Sequence, residues 1–215
     1  MNTLIKKLQE TLNKRQGKLF VYQIDSFDKK FRELDKKTLQ ILYNYSLSEG
    51  NTVYEDICYF LEKYKNQKIF NFSSDPIFER IFHTSQRVKR EIHRFKGFLR
   101  FKEVKGGYLY ASFKPEYNII LPLSRHFANR MMKEKIIIHD TKRDLAFFCY
   151  ENRVYPAKIE SSIPDKTALE KIISSLWIEY FEKVAIKERF NKKLQRQKVP
   201  LKYRNSILEF RREHV

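Results

Sequence analysis

From Phe31 onward the apolar positions keep helical spacing. Phe31, Leu34, Thr38, Ile41, Leu42 and Tyr45 recur at steps of three and four with Asp28 placed to cap them, and Val53, Ile57, Phe60 and Leu61 repeat the pattern after a break at 48–51. The spacing predicts two packed helices within an N-terminal region, residues 1–75, where no chemically suggestive cluster stands out. Asp75-Pro76 opens a further helix whose buried stripe, at about 100° per residue, holds Val88, Ile92 and Phe95. Glu91 falls at the edge of that stripe, where a half-buried carboxylate needs a donor or a cation, from Arg87, another arginine or the 189–197 segment, to offset its desolvation. His93 lies almost opposite, flanked by Lys89, Arg90 and Lys96, and Gly97 stands where glycine commonly ends a helix.

Beyond Gly97 the period drops to two. "FLRFKEVKGGYLYASF" alternates around Gly106-Gly107, a two-residue hairpin signal, and predicts strands near 98–104 and 108–113 with Phe98 and Phe101 on opposite faces. "LPLSRHFANRMM" reads as a short helix with Pro122 near its start, Leu123, Phe127 and Met131 inside, and His126 and Arg130 sharing a neighbouring face. "KIIIHD", "LAFFCY" and "VYPAKI" read as three more strands joined by "TKRD" and "ENR". A last helix starts near Asp165 and turns Trp177, Tyr180, Phe181, Val184 and Ala185 toward the sheet. The same face then meets Glu188, Asn191 and Gln195, which either enter a polar network or ligand cleft or are already wet. The fold class is therefore α+β: an antiparallel sheet of about five strands flanked by helices, with a helical N-terminal region. Residues 76–215 form the core domain, in one compact unit with residues 1–75.

Charge sharpens this picture. The chain has 215 residues, 44 Lys or Arg against 26 Asp or Glu, and a net charge of +18. Residues 77–105 carry nine basic and three acidic side chains and residues 183–215 carry eleven and three, so these two segments hold 14 of the 18 net charges. Such an excess favours a polyanion, since neutralised phosphates release condensed counterions. No apolar run reaches the roughly 18 residues of a membrane span and no signal segment opens the chain, so a cytosolic protein with no membrane partner is expected. Cys58 and Cys149 sit amid apolar neighbours and read as reduced thiols. Phosphate-binding glycine loops and nucleophile elbows are missing, and no cofactor is expected.

The succession "REIHRFKGFLRF", "LPLSRHFANR", "IIHDTKRDLAFF" and "LWIEYFEKVAIKERFNKKLQRQKVPLKY" resembles a bacterial family of formally unknown function. Members of that family are described as DNA-metabolism or DNA-repair proteins, are encoded beside a radical-SAM protein, and are related to a domain fused to uracil-DNA-glycosylase-like proteins. The resemblance covers about residues 85–205. It implies nucleic acid, DNA above all, and a radical-SAM protein as partners. It marks Glu91, His93, Gly97, Phe98, Arg100 and Phe101; His126, Phe127 and Arg130; His139, Asp140 and Arg143; and Trp177, Phe181, Arg189, Asn191, Gln195, Gln197, Pro200 and Tyr203. It also implies that His93, His126, His139 and Arg189 converge. Upstream, the family's Gly-containing turn is replaced by Asp25-Ser26.

Three chemistries could use these residues. A phosphate clamp would draw on Lys89, Arg90, Lys96, Arg100, Arg130, Arg143 and Arg189, with Asn191, Gln195 and Gln197 as further donors and Glu91 as a structural anchor. Acid–base catalysis on a nucleic acid or nucleotide would use His93, His126, His139 and Asp140, although neighbours in a strand such as His139 and Asp140 point to opposite faces. A metal site of His93, His126 and His139 lacks any recognised ligand spacing, so no metal is expected. The clamp is the reading these residues favour.

Overall fold

Asp35, rather than Asp28, begins the first helix described. In the computed structural model, which describes residues 34–64, 75–159, 165–204 and 207–210, its carboxylate accepts from the backbone N–H of Lys37 (2.7 Å) and Thr38 (3.1 Å) and caps α1, Lys36–Ser46. Asp28 and Asp25-Ser26 lie outside the described residues. Helix α2, Val53–Lys63, presents Val53, Ile57, Phe60 and Leu61, all buried, in the predicted register. Helix α3, Pro76–Phe98, is 23 residues long, and the chain divides into two compact units within it. The first unit ends at Glu91 and takes in Glu116–Asn118; the second is Ile92–Pro115 with the chain from Ile119 on.

Polar groups brace the first unit. Asp56, 3% exposed, binds Arg80 through Nε (2.9 Å) and also accepts from the Tyr45 hydroxyl, whose pKa burial and this carboxylate push up to about 12. Asp75 caps α3 by accepting from Ile77 N–H (2.9 Å) and also receives Tyr64, Lys63 and Tyr59. The Tyr64 hydroxyl first and the Lys63 ammonium second hold its pKa well below the usual carboxylate range. A depressed folded-state pKa gives stability that is present above the unfolded value of about 3.9 and is lost as the pH falls further. The urea midpoint should thus hold between pH 7 and 5 and decline below about pH 4, with a shallower acid decline in Asp75→Asn. An unchanged acid decline in that variant would remove Asp75 from the account.

The second unit is a five-stranded sheet: β1 Lys102–Val104, β2 Tyr108–Phe113, β3 Ile136–Asp140, β4 Leu145–Tyr150 and β5 Arg153–Ala157, in sequential order. It is mixed. Three pairings are antiparallel as expected, but β2 and β3 run parallel because helix α4, Ile120–Arg130, carries the chain back along the sheet between them. The β1–β2 turn holds three residues, with Gly106 and Gly107 at φ +96° and +74°, left-handed values that only glycine adopts freely. Leu123 and Phe127 of α4 are buried, and Cys149 of β4 reaches the Ser124 carbonyl at 3.7 Å, so α4 covers the sheet face that carries Ile136, Ile138 and Cys149.

Four expectations are corrected. Gly97 does not end α3: the helix runs to Phe98, and φ at Gly97 is not left-handed. Phe98 and Phe101 consequently do not share a strand. Phe98 closes the helix against Phe95 and Tyr203, while Phe101 precedes β1 and meets Phe127 edge-on at 4.9 Å. The final helix is not continuous: α5, Ala168–Val184, gives way to a 3-10 turn at Lys187–Arg189, then α6, Lys192–Lys198, and α7, Leu201–Arg204. Its apolar face does not pack on the sheet. Trp177, Tyr180, Phe181 and Val184 are exposed, because the inward side of α5 is polar: Glu170 and Ser174 are its buried residues. Cys58 is half-buried and Cys149 buried, and neither is in a disulfide.

Candidate nucleic-acid interface

Helix α3 carries Arg87, Lys89, Arg90, Arg94 and Lys96 within ten residues. Lys89, Arg90 and His93 are exposed, Lys96 is half-buried, and the inward stripe runs through Ile81, Ser85, Val88, Glu91 and Phe95. Glu91 therefore occupies the centre of the buried stripe, 1% exposed. Its two carboxylate oxygens accept from the backbone N–H of Glu116 (2.7 Å) and Tyr117 (2.9 Å). These donors are backbone amides, which sequence reasoning looking for an arginine or the 189–197 segment did not anticipate.

In the second unit the cations of two helices meet around one imidazole. His126 on α4 is half-buried, and desolvation first, then the charges of Lys96 and Arg130, push its pKa below the ordinary histidine value. Its ring is thereby biased toward the neutral form, in the field of the Lys96 ammonium and the Arg130 guanidinium. Lys96, His126 and Arg130 form no ion pair among the described residues, and Arg130 is exposed. Such a group can take an anion without first releasing an internal carboxylate.

The remaining sequence candidates have other partners. His139 is 8% exposed, with Nδ1 at 2.8 Å from the Tyr110 hydroxyl and Nε2 at 3.2 Å from Asp144. Both ring nitrogens are engaged, which leaves neither open to a substrate proton in this arrangement. Its carboxylate is Asp144 across the turn, where φ of +51° aims the residue back, and not the adjacent Asp140. Asp140 is fully buried, accepts from Lys142 N–H (2.9 Å) and pairs with Arg143 (2.9 Å), so these two close the β3–β4 turn. Arg100 lies between Glu170 (3.8 Å) and the Trp177 ring (5.6 Å). Asn191 caps α6 by accepting from Leu194 N–H (2.9 Å), Gln195 accepts from Arg204 (3.0 Å), and Arg189 and Gln197 are exposed.

The expected convergence of the histidines does not occur as drawn. Strand register puts His139 on the opposite sheet face from Cys149 and Ile138, the face covered by α4, whereas His126 rides on α4 itself. Among the described residues no three His, Cys, Asp or Glu side chains gather as a metal would require. The His139 face holds a feature that single-strand patterns hid. Register aligns Lys102, Tyr110, Ile137, Phe148 and Tyr155 in one row across all five strands, with Tyr108, Tyr150 and Arg153 beside it. Phe148 stacks on Tyr150 (6.5 Å) and Tyr155 (6.3 Å), and Lys135 sits over the Tyr108 ring (5.9 Å). The signal was the alternation in "YLYASF", "LAFFCY" and "VYP" taken together, readable only once the register was known.

The profile of one family, a domain of unknown function (DUF4130), matches residues 48–209. The chain belongs to that family. The match takes in both the Lys96–His126–Arg130 group and the aromatic row, and it extends upstream of the resemblance to include α2. No curated protein and no solved structure matches the chain. No helix among the described residues is long and apolar enough to cross a membrane.

Proposed function

We propose that this protein binds the phosphate backbone of nucleic acid, DNA in the first instance, and that it serves DNA metabolism or repair as a binding component working with a radical-SAM partner. The observation that carries the reading is the Lys96–His126–Arg130 group, two cations and an imidazole biased toward its neutral form, with no carboxylate paired to them among the described residues. Lys89, Arg90 and His93 are further exposed side chains of α3, whose 23 residues span about 35 Å. Duplex DNA presents one charge per roughly 1.7 Å, so a helix of this length can follow several phosphates.

The aromatic row supports nucleic acid over a bare phosphate ligand. Tyr155, exposed, and Tyr108, Phe148 and Tyr150, half-buried, are bordered by Lys102, Lys135 and Arg153 and offer ring surface of the kind that unpaired bases stack on, whereas Tyr110 is buried. An enzyme using His139 with Asp140 as its acid–base pair draws less support, because Tyr110 and Asp144 occupy the His139 ring nitrogens and Arg143 holds Asp140.

Fluorescence anisotropy with labelled duplex and single-stranded oligonucleotides across a salt series tests the proposal. Binding should weaken linearly in log–log form, with a slope of about 0.9 per phosphate contact on duplex and about 0.7 on single strands. Absence of binding to both at low salt would overturn it.

A further inference from the structure

Helix α5 is amphipathic in the inverted sense. Its inward side carries a polar network: Ser174 donates to Glu170 (2.7 Å), the Thr167 hydroxyl accepts from Glu170 N–H (3.1 Å), and Arg100 reaches the Glu170 carboxylate. Its outward side carries Leu169, Ile172, Ile173, Leu176, Trp177, Tyr180, Phe181 and Val184, each between 39% and 58% exposed. Ile186 and Phe190 continue the exposed apolar surface beyond the helix. Side chains of this size at half exposure leave on the order of 100 Å² each. The stripe thus offers roughly 800 Å², above the 300–600 Å² of a typical largest monomer patch and close to one side of a standard stable interface. Its rings are already held: Trp177 donates to Glu209 (2.6 Å), lies under Arg100 and leans on Tyr180 at 5.9 Å, which lowers the ordering cost of an interface.

The sequence of the stripe says what covers it. About a point between Leu176 and Trp177 the helix is close to palindromic: Leu169 mirrors Val184, Ile172 mirrors Phe181, Ile173 mirrors Tyr180, and Lys171 mirrors Glu182. Ser175 opposite Ile178 is the one pair that breaks the matching of apolar with apolar and polar with polar. A two-fold axis through that point sets a second, antiparallel copy of α5 so that residue i meets residue j and j meets i, apolar on apolar along the stripe.

We propose that the protein forms a two-fold symmetric homodimer through antiparallel pairing of its α5 helices across this stripe. The proposal stands apart from the nucleic-acid reading, since none of its residues belongs to the cationic group or the aromatic row.

Sedimentation equilibrium on the full chain tests it. The wild type should be dimeric at about 10 µM, within the range such interfaces reach. Leu176→Asp, at an exposed position, should be monomeric with an unchanged far-ultraviolet spectrum and melting temperature. Lys171→Glu, on the side of α5 opposite the stripe at about 100° per residue, should leave the dimer unchanged. A wild type that stays monomeric would assign the stripe to a different protein or to lipid and overturn the proposal. A dimer that survives Leu176→Asp, or one that is lost in Lys171→Glu, would overturn it equally.

Discussion

Replacing Glu91 by alanine should cost about 3 kcal/mol of folding stability, because two backbone amides lose a charged acceptor and hydrogen bonds to charged groups contribute about 1.5–3 kcal/mol each. At about 2–4 °C per kcal/mol for a chain of this size, the melting temperature should fall by roughly 6–12 °C. Glu91→Gln keeps one oxygen acceptor and should lose less. Position matters more than charge here: Glu91 sits between Val88 and Phe95, both buried, at the point where the 116–118 segment joins the first unit, so the variant strips the segment of its anchor and leaves a hole in the stripe. His93→Ala, on the exposed side of the same helix, should melt as the wild type does. Thermal melts of the three variants decide the matter, and an alanine variant at 91 with wild-type stability would show that the segment holds itself.

The second large effect is on binding. Lys96→Glu combined with Arg130→Glu should lower oligonucleotide affinity by roughly 100-fold near physiological salt, since two charge-assisted contacts are replaced by repulsion. The salt slope should drop by about 1.8 on duplex and about 1.4 on single strands, two contacts' worth of released counterions. Neither side chain supports the core, so the double variant should melt as the wild type does. Affinity within threefold of wild type would place the phosphate contacts elsewhere.

What could be read beforehand follows from the range of the interactions. Strands β2 to β5 were legible nearly to the residue because turn chemistry is local: Gly106-Gly107, "TKRD" and "ENR" mark their ends within a few positions. The parallel β2–β3 pairing was not, because alternation has the same period in either direction and only the crossover through α4 decides it. The inverted α5 misled for a related reason. A helical stripe tells that a face is apolar but not what covers it, and the pull of Glu103, Arg100 and Thr167 on Glu170 turned the stripe outward. At the site, periodicity put His126 and Arg130 on one helical face and Lys96 on another helix, and packing brought them together. His139 was singled out for its residue type, whereas its partners, Tyr110 and Asp144, come from a parallel neighbour strand and a turn that no spacing rule connects.

The His126 imidazole reports on the central claim from inside the proposed contact. Burial first, and then the charges of Lys96 and Arg130, depress its pKa, so a phosphate drawn into the group should offset the charge part and raise it. Proton NMR titration of the His126 ring, with and without a saturating oligonucleotide, measures this directly. The account predicts a clear upward shift in the complex and none with the Lys96→Glu, Arg130→Glu variant. An oligonucleotide that binds tightly while the His126 pKa stays where it was in the free protein would contradict it.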